Sequence, residues 1–90
     1  MRVSYDLDIL KPHQPGVDLV ARTLLEINGV IKVRLKVDEL DQKTASLHVK
    51  IEGFNISLDE ITEKLEELNC ALHSVDEVFC ERDETDIDIK

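Results

Sequence analysis

The hydrophobic period switches between two and 3.6 in a fixed order along this chain, and that order limits the fold more than any other feature. Residues 2 to 10 alternate, with Val3, Tyr5, Leu7 and Ile9 on one side and Arg2, Ser4, Asp6 and Asp8 on the other. Alternation is the pattern of a strand with one buried face. From Val17 the apolar positions become Val17, Val20, Ala21, Leu24 and Ile27, a stripe at helical spacing. Pro15 suits the start of that helix, Asp18 complements its dipole, and Asn28-Gly29 stops it. Residues 30 to 40 alternate again, with Val33, Leu35 and Val37 facing in. The polar turn ELDQKT at 39–44 leads back into Leu47, Val49 and Ile51, which completes a hairpin. SLDE at 57–60 reads as a capping box, with Ser57 as N-cap and Glu60 reaching back, before Leu58, Ile61, Leu65 and Leu68. Asn69 suits a left-handed cap at the end of this helix. Residues 71 to 81 form a last strand whose alternation is broken. Leu72 and Val75 fall on opposite faces of an ideal strand, and a bulge near Ser74–Asp76 would bring them together.

The order is β-α-β-β-α-β. Right-handed crossovers and unthreaded connections then select an α+β, ferredoxin-like sandwich. Its expected sheet is four-stranded and antiparallel, in the order 4-1-3-2, with both helices on one face. Ninety residues suffice for one domain, expected over 1–82, followed by an acidic tail at 83–90. In that tail Ile87 and Ile89 alternate with acids, a pattern able to add a strand to a neighbour.

Charge narrows the partners. The formal net charge is −9, the reverse of the basic balance that phosphate contacts demand. Nucleic acid and anionic membranes are therefore not expected, and cations or basic protein surfaces are. A core with three aromatic residues and no Trp has a thin stability margin, so self-association is a natural supplement. Cys70 and Cys80 lie ten apart, not at a metal-ligand spacing, and read as packed free thiols in a reducing, cytoplasmic setting. No apolar run reaches the length of a membrane span.

The chemistry-bearing residues fall into two groups. The loop KPHQPG at 11–16 holds Lys11 and His13 and ends in Gly16 at a helix start. Lys11 and the free N–H groups beyond Gly16 suit an anion, and His13 suits proton transfer. No Ser, Cys or carboxylate lies near His13 in sequence to complete a nucleophile–base pair, so the simpler reading is a proline-fixed bend. Its Lys11 and His13 are then expected to meet the acids of a neighbouring subunit. The loop has no Cys-x-x-Cys for soft metals and no arginine for the phosphate of an acylphosphatase. Exposed aromatics for base stacking are missing from the central strands, which excludes an RNA-recognition module.

The second group is acidic. Asp8 on strand one, Asp76 and Glu77 on strand four, and Glu39 and Asp41 at the hairpin are candidate ligands for a hard cation. Strands one and four are expected to bring Asp8 near Asp76 or Glu77, with His73 as a neighbouring base or softer ligand. The bland alternative is solubility charge and weak ion pairs on a solvated sheet face. No enzyme constellation is complete.

LDILKPHQP at 7–15, INGVIKVRLKVDELDQKT at 27–44, VKIEGFNISLDEI at 49–61 and ALHSVDEV at 71–78 resemble the archaeal family known only as domain of unknown function 211. LKPH and HSVDEV are the most specific segments. The resemblance implies a ferredoxin-like fold, a ring-like homo-oligomer, calcium as the associated ion and an uncharacterised role. The family's polar positions fall on Asp8, Lys11, His13, Glu39, Asp41, His73, Asp76 and Glu77. This chain departs from the family at Asn69, Leu72 and Val75, which are packing changes. A shorter segment, HQPGVDLVARTL, is similar to the Pro-Gly helix start of ACT-type regulatory domains. That likeness implies a small ligand, its carboxylate received by the backbone at residues 11–16.

Overall fold

The computed structural model describes residues 1–83. The expected strand addition by Ile87 and Ile89 lies outside the described residues, as does the acidic tail apart from Asp83. The elements follow the expected order: β1 (Arg2–Pro12), α1 (Val17–Leu25), β2 (Val30–Leu40), β3 (Thr44–Phe54), α2 (Leu58–Glu67) and β4 (Ala71–Glu81). They build a four-stranded sheet in the order β2-β3-β1-β4, with every neighbouring pair antiparallel. This is the expected ferredoxin-like arrangement. None of the described helices is long and apolar enough to cross a membrane.

The core lies between the sheet and its two helices. Leu7, Ile9, Leu47, Val49 and Ile51 of the central strands meet Val20 and Leu24 of α1 and Ile61 and Leu65 of α2, all buried. The central strands alternate cleanly because one face is covered. Edge strands overhang the helices, so Val37 on β2 and Val75 and Val78 on β4 remain exposed on the helix side. Val37 therefore departs from its expected core place.

β4 contains the expected irregularity. Asp6 pairs with Glu77 and Leu7 with Val75, which leaves Asp76 in a bulge. Asp8 pairs with Ser74 and Ile9 with Leu72, which leaves His73 in a second one. The two extra residues put Leu72 and Val75 on the same side as Leu7 and Ile9, as their chemistry requires. β2 carries similar shifts between Val30 and Lys32 and between Val37 and Glu39.

The helix ends follow local rules. Ser57 caps α2: its hydroxyl accepts from the Glu60 N–H at 3.2 Å and donates to the Glu60 carboxylate at 3.2 Å. α1 stops at Leu25, earlier than its apolar stripe suggests, because Glu26 and Ile27 turn tightly onto Thr23 and Leu24. Gly29 then adopts φ +96°, and a side chain there would meet the Phe54 carbonyl. Gly53 faces the same crossing, with only 2.2 Å between an added Cβ and the Gly29 oxygen. The start of β2 and the end of β3 thus approach at a distance that only glycine permits.

Candidate functional site

The face of the sheet away from the helices is built from the alternate residues of each strand. Three register rows cross it: Lys36–His48–Asp8–Ser74, Arg34–Lys50–Asp6–Glu77 and Lys32–Glu52–Ser4–Phe79. Read across the strands, these rows divide the face by charge. Lys32, Arg34, Lys36 and Lys50 occupy the β2–β3 side. Asp6, Asp8 and Glu77 occupy the β1–β4 side, with Glu81 further along and Asp76 in the bulge. Local neutralisation is sparse. His48 lies 3.7 Å from Asp6, and Arg2 lies 3.6 Å from Glu52 and over the Phe54 ring. Among the described residues, Lys32, Arg34, Lys36, Glu77 and Glu81 make no ion pair with one another. A hollow of about 330 Å³ over the small Ser4 is walled by Arg2, Lys50, Glu77 and Phe79.

The structure distributes the expected acidic ligands over two regions. Asp8 and Glu77 project from adjacent strands, and Asp76 lies in the bulge between their rows. However, Glu77 stands opposite Asp6, not Asp8, and Asp8 stands opposite Ser74. Two hydroxyls engage this group: Ser46 donates to Asp8 at 3.3 Å, and Ser74 donates to Asp76 at 2.8 Å. Glu39 stands opposite Ser46 on β2, the outer strand away from β4, and Asp41 sits in the hairpin turn. Neither is brought to the β4 group. Among the described residues, no three His, Cys, Asp or Glu side chains converge as a metal-binding group. His73 is exposed in its bulge.

The loop after β1 is organised from within. β1 runs on to Pro12, which turns Lys11 toward the helix side, where it is 4% exposed. Its ammonium donates to the carbonyls of Pro12 at 2.6 Å, His13 at 3.2 Å and Pro15 at 2.7 Å. An ammonium has three donors, and all three are engaged. The expectation that Lys11 reaches a neighbouring subunit or a substrate anion is corrected by this geometry. His13 is exposed, and its Nε2 bonds the Gln42 carbonyl, which ties the loop to the β2–β3 turn. Gly16 is the N-cap of α1 and supplies no side-chain cap.

Cys70 is buried as expected, whereas Cys80, on the outer strand β4, is exposed. Burial pushes the Cys70 thiol up from its ordinary value, and the nearby Lys11 charge pulls the other way. Burial, then Cys80, likewise raises the Tyr5 hydroxyl, which donates to the Ile56 carbonyl at 3.3 Å.

The sequence places Asp6, Arg34 and Lys36 on the helix-free face but does not bring in Phe79 or show Lys32, Arg34 and Lys36 as one basic stripe. The signal for the stripe was its spacing of two. Its meaning depends on which strands lie between it and the acids, and only the register supplies that.

Comparison with known proteins agrees with the family resemblance of the sequence. The family model DUF211, described as uncharacterized ArCR, matches residues 4–86. An uncharacterized protein of Methanocaldococcus jannaschii is 43% identical over 72 residues, which cover 80% of this chain and 74% of the relative.

Proposed function

The chain belongs to the domain of unknown function 211 family, and on that premise we propose that it is a non-catalytic, self-associating unit that takes up divalent cations, calcium first, on the acidic side of its open sheet face. One observation carries this reading. Asp6 and Glu77 stand directly opposite each other, with Asp8 and Asp76 beside them. Like charges opposed across a ladder destabilise it unless a cation lies between. His48 reaches Asp6 alone, and no described lysine or arginine pairs with Glu77. A hard cation supplies the missing charge, and carboxylate oxygens are the ligands it prefers.

Calcium takes about 6–8 oxygens, and among the described residues no three of these acids converge on one point, so water completes the shell at or near a subunit contact. Asp8, Asp76 and Glu77 are the residues to alter. Calorimetric titration of calcium into the metal-stripped protein should show saturable binding. The double variant Asp76→Asn, Glu77→Gln should lose it while remaining folded by circular dichroism. Equal binding by the variant would refute the site.

A further inference from the structure

We infer that the surface of self-association is a pair of strand edges: β2 of one copy adds, antiparallel, to β4 of a second copy of this chain. The inference rests on the self-association in the reading above and is independent of its cation. β2 and β4 are the two outer strands of the sheet, and each leaves one row of backbone groups outside the ladder. Bulges are a common protection of such edges, and here they bound the exposed stretch instead of filling it. The regular run of β2 begins at Lys32, after one shift, and the regular run of β4 ends its bulged part at Glu77. Lys32–Lys36 and Glu77–Glu81 are therefore matching five-residue edges.

Laid antiparallel, these edges are complementary on both faces. On the open face Lys32 meets Glu81, Arg34 meets Phe79 and Lys36 meets Glu77 of the second copy. That gives two opposite-charge pairs about a cation–π contact. On the helix face Val33 meets Cys80 and Leu35 meets Val78, and beyond them Val37 lies by Val75. Val37, Val75, Val78 and Phe79 are 41%, 39%, 53% and 51% exposed in the single chain, so this contact covers apolar surface now facing water.

The hydrogen-bond pattern agrees as well. Opposed residues in an antiparallel ladder alternate between bonded and non-bonded pairs. Lys32, Glu52, Ser4 and Phe79 form one row across four strands. With three pairings between them, the two ends of that row share the same state: both point their N–H and C=O groups outward, or both point them inward. Arg34 has the state of Lys32, two residues away. Arg34 and Phe79 can therefore stand opposite each other without breaking the alternation. A slip by one residue would break it and would also turn the apolar set onto the charged face. The contact joins unlike edges, so copies add head to tail, and the rotation per step decides whether they close.

The test is sedimentation of the whole chain over a concentration series, with and without EDTA, for the wild type, Lys36→Glu, Glu77→Lys and the double exchange. Wild type should assemble with or without EDTA. Each single variant should weaken association about tenfold by placing like charges together, and the double exchange should restore it. Circular dichroism of each variant confirms folding. Assembly of the single variants at wild-type strength overturns the edge pairing while self-association stands. Assembly abolished by EDTA also overturns it, in favour of contacts made by the cation. A wild type that stays monomeric throughout overturns both this contact and the self-association it rests on.

Discussion

Replacing Lys11 by Met should lower stability by about 2–4 kcal/mol, because the lysine is the internal cation of its own loop. The ammonium makes three bonds to the carbonyls of Pro12, His13 and Pro15. Hydrogen bonds to a charged group contribute about 1.5–3 kcal/mol each. Two terms reduce the sum. Burying an ammonium without a carboxylate costs several kcal/mol, and that cost disappears in the variant. The freed carbonyls also regain water in part, since His13 and Gln14 are exposed. Methionine replaces the aliphatic stem, so the change isolates the charge and its donors. For a domain of this size 1 kcal/mol moves the midpoint by about 4–8 °C, so the melting temperature should fall by roughly 8–32 °C. Thermal unfolding followed by circular dichroism reads this directly. Lys43→Met, at an exposed turn position, is the control and should stay within about 0.5 kcal/mol. A Lys11→Met melting temperature within about 3 °C of wild type would refute the loop reasoning.

Three further outcomes follow from the same structure. Gly53→Ala should cost about 3 kcal/mol in urea unfolding, since its Cβ would sit 2.2 Å from the Gly29 oxygen and 2.8 Å from the Val30 Cα. Ser57→Ala should cost about 1 kcal/mol by removing the cap on the Glu60 N–H, again read by urea unfolding. Folding holds the protons of Cys70 and Tyr5 more tightly, so the folded chain binds more protons than the unfolded one at high pH. Their contribution is complete below the ordinary values of 9.0 and 10.0 and is lost as pH rises through the raised ones. Melting temperatures of wild type should thus fall more steeply above pH 9.0 than those of Cys70→Ala, Tyr5→Phe.

The element order was legible in the sequence because each element has one covered face and its apolar residues repeat with the period of that face. The β4 bulge was legible for the same reason: Leu72 and Val75 are both apolar, and only an extra residue puts them on one side. Lys11 was misread because charge alone suggests a surface residue. Its burial depends on β1 continuing to Pro12 and on three carbonyls curling around the ammonium, which no spacing announces. The exposure of Val37, Val78 and Cys80 was equally hidden. Alternation marks the helix side of an edge strand, but the reach of the helices across the sheet decides whether that side is dry. For the candidate site, the residue types were legible and their partners were not. Asp8 was expected near Asp76 or Glu77, but which residue stands opposite which was hidden: the register sets Glu77 against Asp6 and Ser74 against Asp8, with Asp76 in the bulge between those rows.

Native mass spectrometry of the wild-type chain, before and after EDTA and after added calcium, reads copy number and bound ion together. The expected result is a multimer of this 10.3 kDa chain that persists without metal and gains calcium in a fixed ratio per copy. A monomer at every concentration, with no calcium retained, would contradict it.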